Sequence, residues 1–430
     1  MLKSIKTEDF FLILSVFFII NPFIKIIPVH VEIQPIYTLF VFIGIVFRGK
    51  ISSGFLFVFL ILSIFLFLGL ISTNFDSSSF STYLAILSLL LLREYFCSNA
   101  ISTITMHNTI MLCLYTWVFI GLMQAFLPSL LYLTGIDSFL STLISRYSSE
   151  AIGGESARGI RMLAPEPSYA AHIIFFFFSY LILNIKEITS SVYYGVSKYI
   201  VLMLLLLIIS WKNGSTTLFM MLLLFLFFAS LRLLFNLKRS LILIVSLFLL
   251  IFLLLNSSFL QELSIDTRFG LILERIFEQD SFLATFKILL VSSGQRMSSV
   301  FVGYWTLINF ESVYYFGSWS SRFYSNAIES GLDVNKINYF NDITQNVKPY
   351  SVVSTLSFDL GWLGFIIGCY LTNINFSVLK KMNSLYFSIT ITSLFAVFFN
   401  SPVALPIYLF LLYYLNLKYK ESHGLKSSNS

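Results

Sequence analysis

Between Arg158 and His172 the chain reads RGIRMLAPEPSYAAH, immediately ahead of the apolar run IIFFFFSYLILNI. Two arginines, a glutamate and a histidine in so short a stretch could handle an anion. A guanidinium meets phosphate oxygens with paired N–H groups in one plane, so Arg158 and Arg161 are candidate phosphate ligands. Glu166 is the candidate general base, or else orients Arg161 or a substrate hydroxyl. His172, one helical turn after Ser168, is a candidate to share that face. The plainer alternative pairs Arg161 with Glu166 to hold a polar connector and packs His172 in a core.

A second arginine has a similar setting. SSGQR ends at Arg296 and runs into SSVFVGYWTLINF, with Ser298 or Ser299 as N-cap candidates. Its apolar stripe is expected at Val300, Phe301, Tyr304, Trp305 and Ile308, as a packing face. Two arginines at two helix starts would suit two phosphate-bearing groups, or the two ends of one pyrophosphate.

Other chemistries find less support. The 3 cysteines and 4 histidines are scattered, with no disulfide framework and no ligand spacing for a metal. No cofactor is expected. There is no glycine-rich phosphate loop ending in lysine, and no cytoplasmic stretch long enough for a nucleotide-binding domain.

The elements that must position these groups follow from composition. Of 430 residues, 57% are hydrophobic, only 11% are charged and 48 are phenylalanine. Apolar runs able to cross a hydrocarbon core, which takes about 20 residues, recur from end to end. The expected fold is all-α: a polytopic transmembrane protein forming a single integral-membrane domain over 1–430. Twelve spans are expected at 10–28, 33–47, 54–72, 79–93, 106–127, 168–185, 198–211, 215–234, 240–256, 352–373, 384–400 and 402–417. The first keeps a charged flank without a small-residue cleavage site, and so reads as a span.

Lysine and arginine distribution orients them. One set of short connectors holds Lys3, Lys6, Arg48, Lys50, Arg93, Lys186, Lys198, Arg232, Lys238, Arg239, Lys380 and Lys381. The opposite short connectors hold only Lys212, with Lys25 nearby. Positive residues in short loops mark the cytoplasmic side, so both termini are expected inside. The net charge of +6 therefore has a topological explanation and calls for no nucleic-acid partner.

Two long connectors, about 135–167 and 257–350, then fall outside and hold most of the polar chemistry. Loops of that length usually do something. Within the second, ERIFEQDSFLATFKILL has the spacing of an interfacial helix. Pro165 and Pro167 should stop any helix upstream, so that a span starts near Ser168 with free N–H groups and a positive dipole end facing outward. Asp359, in FDLGWLGFIIG, is an acid inside or at the edge of a span, and the glycines at 361, 364 and 368 have helix-packing spacing.

An external arginine before EPS and a span, SGQR before an aromatic helix and YYFGSW, and DLGWLGFIIG opening a late span resemble the O-antigen polymerases, the Wzy family. The resemblance covers the architecture of nearly the whole chain, with motif-level signal in a small part of it. It implies a glycosyltransferase of the bacterial inner membrane. Such an enzyme joins undecaprenyl-pyrophosphate-linked oligosaccharide repeat units at the periplasmic face and releases undecaprenyl pyrophosphate. It implies functional arginines in the two large loops, here Arg161 and Arg296, with Glu166 as the acid before proline. Arg158 and Arg322 match less closely and are carried as substrate-binding candidates. The implied partners are the lipid-linked oligosaccharides, the bilayer, and a chain-length regulator and flippase of the same pathway.

Related O-antigen ligases carry a histidine just before the late span, where this chain reads NVKPYSVVSTLSFDLG. That favours polymerase over ligase. A flippase or transporter of the same lipid-linked sugar is the rival from another class. It should show repeat symmetry and charged residues lining central spans.

Overall fold

A computed structural model describes residues 7–26, 33–72, 77–98, 101–144, 160–188, 193–213, 215–234, 295–309, 350–374 and 382–422, with 323, 325, 326, 328, 329 and 379. The expected span at 240–256, the interfacial helix, Arg158 and Arg322 lie outside the described residues.

The described chain is helical, and its only β pairing consists of two isolated bridges. In order the helices are α1 (Thr7–Ile20), α2 (Tyr37–Arg48), α3 (Ser53–Ser72), α4 (Ser77–Ser98), α5 (Thr103–Phe126), α6 (Pro128–Leu133) and α7 (Ile136–Leu143). There follow α8 (Pro167–Ile188), α9 (Tyr193–Asn213), α10 (Thr216–Leu234), α11 (Gln295–Ile308), α12 (Val352–Thr372), α13 (Ser384–Phe395) and α14 (Ile407–Ser422). A π-helical turn, Ala396–Asn400, extends α13. Every expected span with described residues holds one of these helices. The last is displaced along the chain, because Pro402 pairs with Ser351 in a bridge before α14 can start. Among the described residues three helices, Thr103–Phe126, Pro167–Ile185 and Val352–Thr372, are by length and composition alone long and apolar enough to cross a membrane.

Local sequence explains many of the ends. Ser102, Ser351 and Asn383 cap α5, α12 and α13 by accepting the N–H of Thr105, Ser354 and Tyr386. Gly49 ends α2 in the left-handed region, its N–H bonded to the Ile45 and Val46 carbonyls.

Packing centres on α8 and α14. Residues from Ala170 to Phe177 and from Ile407 to Leu415 are buried all round, as in helices enclosed by others. Around them pack α1, α4, α9, α10, α12 and α13, while α5 packs on α1 and α9 and α2 lies behind α1 and α4. The outward face of α3 exposes Phe57, Leu60, Ile64, Phe67 and Ile71, an apolar stripe suited to lipid.

Where apolar helices meet, polar side chains must find each other, since no water competes for them. Tyr180 of α8 bonds His107 Nδ1 of α5, and the Tyr199 hydroxyl of α9 reaches His107 Nε2 at 3.3 Å. The Tyr414 hydroxyl of α14 donates to Asn184 Oδ1 of α8 at 2.9 Å.

Two expectations need correction. Helix α12 is not a straight rod: Gly361 has φ 59° and ψ −140°, and the chain folds back there. A Cβ on Gly368 would sit 3.0 Å from the Val353 side chain, whereas a straight helix would part these residues by about 22 Å. The ends still diverge, because Ser351 pairs with Pro402 while the Asn373 carbonyl accepts from Asn416 near the far end of α14.

The packed stripe of α11 is the second correction. Ser299, Val300, Val302, Gly303, Thr306 and Leu307 are buried, whereas Phe301 and Ile308 point outward. The small face wins because it approaches α12 closely, with Gly303 against Ser354.

Candidate functional site

The Arg161–Glu166 segment is a tight non-helical turn between α5, α8 and α9. The Ile160 N–H donates to the Lys212 carbonyl at 3.3 Å, and Asn213 Nδ2 donates to the Ile160 carbonyl at 2.7 Å. Asn213 Nδ2 also reaches the Pro167 carbonyl at 3.3 Å, so one side chain at the end of α9 ties both ends of the turn. The Ala164 N–H closes it onto the Arg161 carbonyl at 3.1 Å.

Met162 takes φ 56°, a left-handed backbone that costs a non-glycine residue about 1–2 kcal/mol. Gln124 of α5 offsets this through both ends of its carboxamide. Its Oε1 accepts the Met162 N–H at 2.6 Å, and its Nε2 donates to the Met162 carbonyl at 3.1 Å. The Met162 side chain is fully buried over Gly121, and a Cβ there would meet Met162 Cε at 2.8 Å and Ile209 Cδ1 at 3.1 Å.

The turn delivers Glu166 to the N-cap of α8. Its carbonyl accepts the N–H groups of Tyr169 at 3.1 Å and Ala170 at 3.2 Å, with Pro167 in the first helical position. The Ser168 hydroxyl donates to Glu166 Oε2 at 3.3 Å. The expected row of free N–H groups is therefore shorter than foreseen. Pro167 has none, and those of Tyr169 and Ala170 are engaged by Glu166. Arg161, half-buried, lies in the turn that precedes this helix end.

His172 lies deeper. It is fully buried, with Nδ1 2.7 Å from the Tyr408 hydroxyl across the α8–α14 contact. Asp359 is fully buried in the first arm of α12, two positions before the fold-back.

Arg296 falls inside the first turn of α11, which begins at Gln295. Its side chain lies outside the described atoms. Ser299, expected as a possible cap, is instead a buried residue of the packed face. Among the described residues no cluster of histidine, cysteine, aspartate or glutamate could hold a metal ion.

Gln124 and Asn213, which hold this turn, were not among the residues expected from the sequence. Gln124 carried a signal: it is a lone amide in WVFIGLMQAF, and an amide in such a run needs a partner. No protein-family model matches the chain, and neither a curated protein nor a solved structure matches it.

Proposed function

We propose that the chain is a multi-pass inner-membrane glycosyltransferase that polymerises undecaprenyl-pyrophosphate-linked oligosaccharide repeat units at the periplasmic face. The observation that carries the reading is the Arg161–Glu166 turn, held against the N-terminus of α8 by side chains from two other helices. A guanidinium carried on a fixed turn just ahead of a helix N-terminus would suit an anion that is fixed in one orientation.

In the proposed reaction a hydroxyl of the incoming unit attacks the anomeric carbon of the lipid-linked chain. A new glycosidic C–O bond forms as the bond from that carbon to the pyrophosphate breaks. The bonding pair leaves with undecaprenyl pyrophosphate, and the hydroxyl proton passes to a base, for which Glu166 is the candidate. Arg161 stabilises the charge that develops on the departing group, and preorganised donors of this kind contribute most where charge appears. Arg296 from the second long loop serves the other phosphate-bearing substrate. The donor is already activated, so the step draws on no nucleotide.

The test is reconstitution. Purified protein in lipid vesicles, given lipid-linked repeat units alone, should lengthen them over time. Failure to lengthen any such unit, while the protein remains folded, would overturn the reading.

A further inference from the structure

We propose that Gln124 is a positioning residue for Arg161, acting through the backbone of Met162. The inference rests on the reading of Arg161 as a pyrophosphate ligand and goes beyond it, naming the group that sets the direction of the guanidinium.

Left-handed backbone at a non-glycine residue persists only where its surroundings over-determine it. Here three contacts do so. Gln124 holds both the N–H and the carbonyl of Met162, Met162 is seated over Gly121 and Ile209, and Asn213 fastens the Ile160 and Pro167 carbonyls on either side. The clasp falls on the residue directly after Arg161. It therefore fixes the peptide plane between them, and with it the course of the chain at the Arg161 Cα.

A planar fork recognises oxygens in one plane, so a small rotation of its base misaims it more than it would a point charge. Misplacement of about 1 Å at a binding group can cost a hundredfold in rate. Gln124 belongs to one of the long apolar helices and is 9% exposed, so its carboxamide is a fixed anchor for a turn that has no regular structure of its own.

The experiment is a double-mutant cycle on binding of inorganic pyrophosphate to the full-length protein in lipid nanodiscs. Gln124→Met keeps length and volume but removes both hydrogen bonds. It should weaken binding about tenfold, the equivalent of roughly one buried hydrogen bond. Arg161→Ala should weaken it at least as much. Adding Gln124→Met to Arg161→Ala should then change affinity by less than about twofold, since residues acting through one another are not additive.

Gln124→Glu, which keeps the acceptor for the Met162 N–H, is the milder variant should Gln124→Met fail to fold. Its loss should likewise vanish in the Arg161→Ala background. Unchanged affinity in the Gln124 variants, with Arg161→Ala impaired, would overturn the positioning role. So would equal losses in both backgrounds, which is what a general loosening of the fold produces. Undiminished binding by Arg161→Ala would instead overturn the anion-site reading beneath it.

Discussion

Val353 and Gly368 stand near opposite ends of one apolar stretch, yet their backbones lie so close that a Cβ on Gly368 would sit 3.0 Å from the Val353 side chain. The fold-back at Gly361 makes this possible, and its φ of 59° with ψ of −140° belongs to a region close to glycine-only.

The sign of one substitution follows. In a straight helix, Gly→Ala stabilises by about 0.5–1 kcal/mol. At Gly361 the same change should destabilise, by about 1–3 kcal/mol of backbone strain. Unfolding of Gly361→Ala in detergent, compared with the original protein, should show a lower midpoint. A raised midpoint would mean that α12 is straight.

The His172–Tyr408 bond should behave as a coupled pair. Removing the Tyr408 hydroxyl leaves a buried imidazole nitrogen short of its partner, at a cost of about 1–3 kcal/mol. Tyr408→Phe and His172→Phe together should cost less than the sum of the single changes. Additive losses in the same unfolding measurement would show that the pair is not coupled.

The lysine and arginine asymmetry predicts the side on which each loop lies. Reporter fusions after Glu150 and after Asn326 should report the periplasm, and one after Lys381 the cytoplasm. A cytoplasmic signal from either long loop would put the arginines on the wrong side of the membrane for the proposed reaction.

Arg296 opens α11, whose small-residue face packs on α12. Arg296→Ala should abolish or severely reduce polymer while leaving the protein in the membrane at its usual level. A normal ladder of surface polysaccharide on a gel would remove Arg296 from the site.

How much could be read in advance varies from element to element, for physical reasons. Helix positions were legible because long apolar runs leave the backbone few other ways to satisfy its polar groups. The turn before α8 was legible from Pro165 and Pro167, which cannot sit inside a helix without breaking its bonds. The fold-back was not. DLGWLGFIIG reads equally well as a straight helix with small residues along one face, and tertiary contact decides the backbone at Gly361. The α11 face was misjudged because hydropathy favours Phe301 and Ile308, while close packing on Ser354 favours Gly303. Gln124 and Asn213 bond to backbone far away in sequence, and no spacing rule reports such partners.

In the proposed reaction Arg161 grips a departing pyrophosphate through its planar fork. The most direct measurement is chain length over time, with purified Arg161→Ala and Arg161→Lys proteins given lipid-linked repeat units. Charge-assisted hydrogen bonds contribute roughly 1.5–3 kcal/mol each, so losing one should slow transfer by about ten- to more than a hundredfold. Arg161→Ala is expected to leave only single-repeat products, and Arg161→Lys to stay impaired, because an ammonium cannot make the paired contact. Full-length polymer from Arg161→Ala at the original rate would contradict the account and leave the turn before α8 a polar connector.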